Sequence, residues 1–344
     1  MMNTTRTYPG NPPARVRVKL TRCDLSRSIP KKMDSEFWSK DGDRVILVAG
    51  DTWFSVHRDA LSHHSSVLAG MFDSLPKSPI SMCFPCNAPN NFTQFLDLDD
   101  SPEDLRYILR ALLSNGGSLS DQPNVDEVSA LARLGHKYQI HSLLDNVAKF
   151  LQDHFCTDFS LWSAHDDLVP IGWKPVHAIG VVNIARLLGC PSILPTALAV
   201  CCAVNGTEMV RGYERADGTR ETLCTDDIAR CADAARRLSQ GTSTALCHAF
   251  ATHKGSALDA KCSDPKTCGD EMHRLLCAYA DTARDRELFT DRHPFRDWKY
   301  YLGTRVDESR ICEWCNIMLR DRFVERQREL WDRLPAIVGV MVEG

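Results

Sequence analysis

Hydrophobic and polar positions change rhythm sharply at residue 41. In "DGDRVILVAGDTWFSVHRDAL" the β-branched run Val45 to Val48 is followed by a turn at Gly50 and Asp51, after which Trp53, Ser55 and His57 alternate with Phe54 and Val56. Period-two alternation about a short glycine turn predicts a β-hairpin. The period then lengthens. Leu61, Val67, Leu68, Met71 and Phe72 fit apolar helical faces in two short pieces, broken near Ser62 to Ser65. "TQFLDLDD" predicts another strand. "SPEDLRYILRALL" predicts a helix with Ser101 as N-cap, Pro102 in the first turn, and Glu103 and Asp104 complementing the helix dipole. Val128, Leu131, Ala132, Gly135 and Tyr138 mark a further helix, and Val147, Phe150, Leu151 and His154 another.

A hairpin, two short helices, a strand and then three helices is an α+β order, not an alternating parallel-sheet one. Beyond residue 156 the strand signals stop. Trp162, Trp173 and Pro175 mark a connecting segment, and "VHAIGVVNIARLLGC" and "ILPTALAVCCAV" predict buried helices interrupted by Pro191. "TDDIARCADAARRL" has Thr225 as N-cap with Ile228, Cys231, Ala232, Ala235 and Leu238 on one face; Met272, Leu275, Leu276 and Tyr279 repeat the spacing. The expected organisation is a flexible basic arm over 1–35, an α+β domain over 36–155 and a mainly helical domain over 156–344. The arm follows from eight basic residues set against Asp24 and Asp34, with Pro9, Gly10, Pro12 and Pro13 opposing helix.

Composition narrows the class. The 344 residues are 43% hydrophobic and 25% charged with a net charge of −4, as expected of a globular protein with no global attraction to nucleic acid. The longest apolar run, around Leu194 to Val204, contains Pro195 and falls short of the roughly 18 residues a membrane span needs. The first residues lack the apolar centre of a secretory signal, so an intracellular setting, cytoplasmic or nuclear, is expected. In a reducing compartment the fifteen cysteines read as buried thiols or metal ligands rather than disulfides.

Candidate chemistry comes from histidines and cysteines. "FSVHRDALSHHSSVLAGMF" holds three histidines, but His63 and His64 are adjacent and point different ways on a helix, whereas zinc wants spaced ligands. Solvent-facing His63 and His64 and a packed or capping His57 are expected. Cys83 and Cys86 form an isolated C-x-x-C, weak evidence by itself for zinc or redox chemistry. Cys262 and Cys268 in "CSDPKTC", with Cys312 and Cys315 in "ICEWC", form two separated pairs. Two readings of these stay open: one structural zinc held by four thiolates, or ordinary burial of a small apolar side chain. The segment between the pairs, "DRHPFRDWKYYLGTRVDES", is poor in aliphatic residues. Phosphate loops, G-x-G-x-x-G, G-x-S-x-G and H-E-x-x-H are all missing, so no catalytic residue is singled out.

Four ordered blocks, "DGDRVILV", "FSVHRDALSHHSSVLAGMF", "LDLDDSPEDLRYILRALL" and "VSALARLGHKYQIHSLLDNVAKFL", together resemble a BTB/POZ domain, especially those expanded in fungi. The resemblance implies a small sheet with a helical bundle, and a non-enzymatic interaction module that forms a symmetric homodimer. It places Asp43, His57 and Arg58 in a charged pocket beside the dimer axis. Adaptor or scaffold roles follow from it, including service to a cullin-type ubiquitin ligase, with an unidentified protein client. Polar Asp99, Asp100 and Ser101 stand where a cullin contact would want an apolar anchor. The insert "DSLPKSPISMCFPCNAPNNFTQ" departs from the family pattern. The alternative reading is a zinc-stabilised transcriptional regulator that binds nucleic acid through the basic arm and the cysteine cluster. A cysteine-dependent enzyme is a third, lacking an identifiable activating base.

Overall fold

A computed structural model describes residues 32–39, 43–75, 94–114, 116–163, 168–250, 258, 260–285, 295 and 308–341. The chain divides into two compact units. The first comprises Met1–Phe150 with Arg186–Gly189 and Glu214–Arg220, and the second comprises Leu151–Ala185, Cys190–Tyr213 and Glu221–Gly344. Most of the basic arm and the Cys83/Cys86 insert lie outside the described residues.

The first unit is built on a four-stranded sheet. Its strands are β1 (Lys32–Trp38), β2 (Arg44–Ala49), β3 (Thr52–His57) and β4 (Gln94–Leu98), in the order β1-β3-β2-β4. β2 and β3 form the predicted antiparallel hairpin, with Val45 opposite Val56 and Ala49 opposite Thr52. Gly50, at φ +54°, takes the first position of the two-residue loop, where a glycine is favoured. β4 runs parallel to β2, and β1 runs parallel to β3 with a register shift between Met33 and Trp38. β1 was not among the predicted elements, and it runs through the expected boundary at 35/36.

Helices α1 (Arg58–Ser62), α2 (Ser66–Asp73), α3 (Pro102–Leu113), α4 (Val125–Lys137) and α5 (His141–His154) complete the order read from the sequence. Ser101 Oγ accepts the Asp104 N–H at 3.0 Å, the expected N-cap. Leu61, Phe54, Phe72, Leu96, Leu109, Leu131, Tyr138 and Leu143 fill the core. Ser65 does two things in that core: its Oγ caps α2 by accepting the Leu68 N–H, and donates to the Tyr138 carbonyl oxygen at 2.6 Å.

β1 is held to α3 by matched periodicities. Asp34 and Glu36, two apart on a strand, share a face, as do Arg106 and Arg110, four apart on a helix. Arg106 Nε donates to Asp34 at 2.7 Å, and Arg110 binds both carboxylate oxygens of Glu36 at 2.6 and 2.7 Å. Asp34 is buried, which opposes its charge. Arg106 and the N–H groups of Phe37 and Glu36 outweigh that burial and hold its pKa below the ordinary carboxylate value.

The second unit is helical. Its elements are α6 (Phe159–Ser163), α7 (Ala178–Leu187), α8 (Leu194–Ala203), α9 (Gly206–Arg211), α10 (Thr225–Phe250), α11 (Pro265–Asp285), α12 (Glu313–Asp332) and α13 (Leu334–Ile337). Between α9 and α10 the chain forms a two-stranded ribbon, β5 (Tyr213–Glu214) with β6 (Arg220–Glu221), whose residues Glu214–Arg220 belong to the first unit. α8 is buried from Leu194 through Cys202, consistent with its apolar composition on every side. α10 extends well past the predicted segment. Thr225 is its first helical residue, and the Cys224 carbonyl accepts the Ile228 N–H, which places the cap one position earlier than expected. Asp227 lies on the buried face because Arg230 and the Cys224 thiol satisfy its carboxylate, whereas Ala232, small enough to expose cheaply, faces solvent. Gly241 lets α10 and α12 approach closely, since an added Cβ there would lie 2.4 Å from Leu330. Phe159, Trp162, Phe295 and Trp331 pack as an aromatic cluster, with Trp331 Nε1 donating to the Thr157 carbonyl. Among the described residues no helix is long and apolar enough to cross a membrane.

The α1–α2 corner separates packing from histidine chemistry. Leu61 is 1% exposed, His63 is exposed and His64 is half-buried, edge-on to it. Leu61→Ala is expected to cost about 2 to 5 kcal/mol of stability. Replacing His63 and His64 together by Ala should cost well under half of that. Thermal or denaturant melts of the two variants compare the effects directly, and equal losses would overturn this assignment.

Candidate functional site

The two cysteine pairs, 44 residues apart in sequence between Cys268 and Cys312, meet in the second unit. The sulfur atoms of Cys262, Cys268, Cys312 and Cys315 all lie within 4.8 Å of one another. Cys268 and Cys315 are buried, and Cys262 and Cys312 are half-buried. Two helix starts create the arrangement. Asp264 begins α11 by accepting the Thr267 N–H and hydroxyl, with Pro265 at the first helical position, which sets Cys268 in the first turn. Cys312 is the N-cap residue of α12 and puts Cys315 in that helix's first turn. Both positive helix ends therefore face the sulfurs and favour thiolate.

The rest of the local packing aligns those ends. Ala245, Leu246, Ala249 and Phe250 of α10, Met272, Leu275 and Tyr279 of α11, and Leu319 and Phe323 of α12 form one buried cluster that includes Cys268 and Cys315. Next to it, Glu271 accepts the Arg310 N–H at 3.2 Å while Arg274 binds both its carboxylate oxygens at 2.8 and 2.9 Å. The Cys312 N–H donates to Cys268 Sγ at 3.3 Å, and the Cys312 and Cys262 sulfurs are 3.9 Å apart. Burial opposes a thiolate at Cys312, yet N–H groups of Cys315 and Ser263 and the neighbouring thiols bring its pKa down to about 7. Burial pushes the Cys268 thiol up. The Lys261 ammonium lies 4.1 Å from the centre of the Trp314 ring, beside the cluster. Four sulfurs this close are compatible with a single tetrahedral ion such as zinc.

The histidine region is arranged otherwise. His57 is exposed and makes no side-chain cap to α1; its Nε2 lies 3.1 Å from Ser39 Oγ. It is therefore neither packed nor capping; at the helix start the Arg58 N–H is taken by the Asp43 carbonyl instead. Arg58 donates its N–H to the Asp43 carbonyl, but its guanidinium binds Asp73 at 2.5 Å and reaches Gln94 at 3.5 Å. Asp43 is exposed. Asp43, His57 and Arg58 are thus neighbours along the hairpin end, with the Arg58 charge directed to α2.

Sequence reasoning missed Arg215. Its side chain is 5% exposed, and it binds Asp104 at 2.6 Å and Asp217 at 3.1 Å, with Asp126 at 3.7 Å, all within the first unit. Burial keeps the Asp104 pKa above the ordinary value even against Arg215. The only signal for this cluster was the apolar periodicity of α3, which places position 104 beside Leu105 and Ile108 on the inward side.

Glu271 supplies a pH prediction. Arg274 and the Arg310 N–H hold its pKa at about 2, against an ordinary 4.5. A depressed folded-state pKa stabilises fully above the unfolded value and is lost as pH falls toward the folded one. Glu271→Gln should lower the melting temperature at pH 7 and flatten the acid loss between pH 4.5 and 2. An unchanged melting temperature at neutral pH would show that this clasp contributes nothing.

No curated protein matches the chain. Residues 39–155, about a third of the sequence, match the family model described as the BTB/POZ domain. That interval holds the β2–β3 hairpin, β4 and helices α1 to α5 in the order described above. Residues 39–155 of this chain are accordingly a BTB/POZ domain, a protein–protein interaction module, followed by a helical region.

Proposed function

We propose that this protein is a homodimeric adaptor or scaffold without a catalytic step of its own. In this reading residues 36–155 dimerise and residues 156–344 present a helical body to a protein client. The BTB/POZ match over residues 39–155 is the observation that carries it. Two features of the first unit support it. β1 is an edge strand, and an exposed strand edge is a template for further pairing. Met33 on that strand is 58% exposed, an apolar side chain that gains from being covered. Asp43, His57 and Arg58, at the hairpin end, belong in this reading to the charged border of the dimer contact.

A cullin contact through the start of α3 is disfavoured. Asp99 is exposed there, while Asp100 is committed to Lys137 and Tyr138, Ser101 to the cap and Asp104 to Arg215. The client is more economically sought on the helical region, and proximity labelling in the native cell would identify it.

Sedimentation of the full chain tests the dimer. On the order of tens of micromolar, a range typical of protein-interface dissociation constants, the protein should sediment as a dimer. Met33→Glu should weaken the association about tenfold or more, equivalent to about 1.4 kcal/mol. A wild-type protein that stays monomeric at that concentration would refute the proposal.

A further inference from the structure

The cysteine tetrad rests on an observation independent of the dimer. Its four sulfurs span no more than 4.8 Å. With metal–sulfur bonds of roughly 2.3 Å, a tetrahedral zinc tetrathiolate has sulfur–sulfur edges of roughly 3.8 Å. The Cys262–Cys312 separation of 3.9 Å is already at that value. An iron–sulfur cluster, with sulfide and several irons between its ligands, needs its cysteines farther apart. Simple burial accounts for Cys268 and Cys315, and Cys262 and Cys312 pack half-buried against the same cluster, but packing alone does not require all four sulfurs to converge on one point.

We infer that Cys262, Cys268, Cys312 and Cys315 bind one Zn²⁺ as four thiolates in a closed structural site that clamps the start of α11 to the start of α12. Binding converts four thiols to thiolates and releases their protons to solvent; no electron is transferred and no other bond changes. Four thiolates on a divalent ion leave a net charge of −2. The two helix N-termini and the Cys312 N–H on Cys268 Sγ oppose it. With four protein ligands the ion keeps no position for water or substrate, so its effect is on stability. The Arg310 N–H on Glu271 ties the chain just before α12 to α11 beside the four sulfurs, a link that does not pass through them.

The ion would act within the second unit, whose α10, α11 and α12 side chains share the buried cluster with Cys268 and Cys315.

Elemental analysis of the full chain, purified without added metal, should find about one zinc per chain and no visible absorption. Cys312→Ser and Cys262→Ser should each lose most of the zinc, while Cys277→Ser, an exposed cysteine on α11, should retain it. To separate metal loss from misfolding, zinc is also stripped from wild-type protein by a chelator under reducing conditions and then restored. Stripping should lower hydrogen-exchange protection in α11 and α12 at least tenfold, leave β2 and β3 unchanged, and be reversed by zinc. Protein that is metal-free as purified, that contains coloured iron, or whose α11 and α12 stay equally protected without zinc would overturn the inference. None of these readouts depends on dimerisation, so the two proposals fail separately.

Discussion

A carboxylate taken out of water must bring its compensating charge or hydrogen bonds with it, and the first unit is organised by that constraint. Asp34 is buried at the sheet edge and meets Arg106 of α3. Asp100 is buried at the end of β4 and meets Lys137 and the Tyr138 hydroxyl at the end of α4. Asp104 is buried at the start of α3 and meets Arg215. Each pair joins elements distant in sequence. Such pairs contribute little net stability when whole, but removing one partner strands a charge and costs about 3 to 5 kcal/mol. They act on specificity: an alternative packing of β1 or α3 leaves a carboxylate without its cation.

The second unit meets a related problem with sulfur. α10, α11 and α12 share an apolar cluster that reaches four thiols at the helix starts. Cysteine is small and apolar as a thiol and charged as a thiolate, so the same side chains suit a core or an ion. At the outer pair the Cys312 sulfur is met by the N–H groups of Ser263 and Cys315, which favour a thiolate there.

The functional reading follows this division. The BTB/POZ domain accounts for an interaction module, while its fold alone does not choose a client. Local charge then refines what the resemblance implied. Arg58 spends its guanidinium on Asp73, so the hairpin end presents Asp43 and His57 more openly than a closed Asp43–Arg58 pair would. In the first turn of α3 the Asp104 carboxylate is likewise taken by Arg215 and is not free for a partner.

The sequence by itself determined the local order of the first unit. The hairpin at Val45–Val56, the Ser101 cap and the buried Leu61 all arise from interactions within a few residues, where periodicity and capping are legible. It also singled out the four cysteines by spacing, without deciding between packing and a shared site. Only the tertiary structure brought their sulfurs together, because the meeting depends on how α11 and α12 pack and on the Glu271–Arg310 clasp. The same holds for β1, whose alternation is masked by Asp34 and Glu36, charges that read as solvent-facing until Arg106 and Arg110 are placed opposite them. Arg215, 111 residues from Asp104 in the chain, had no local signature at all. A short-range pattern records which face a residue takes, and which distant charge or thiol it meets is decided by the packing of whole elements.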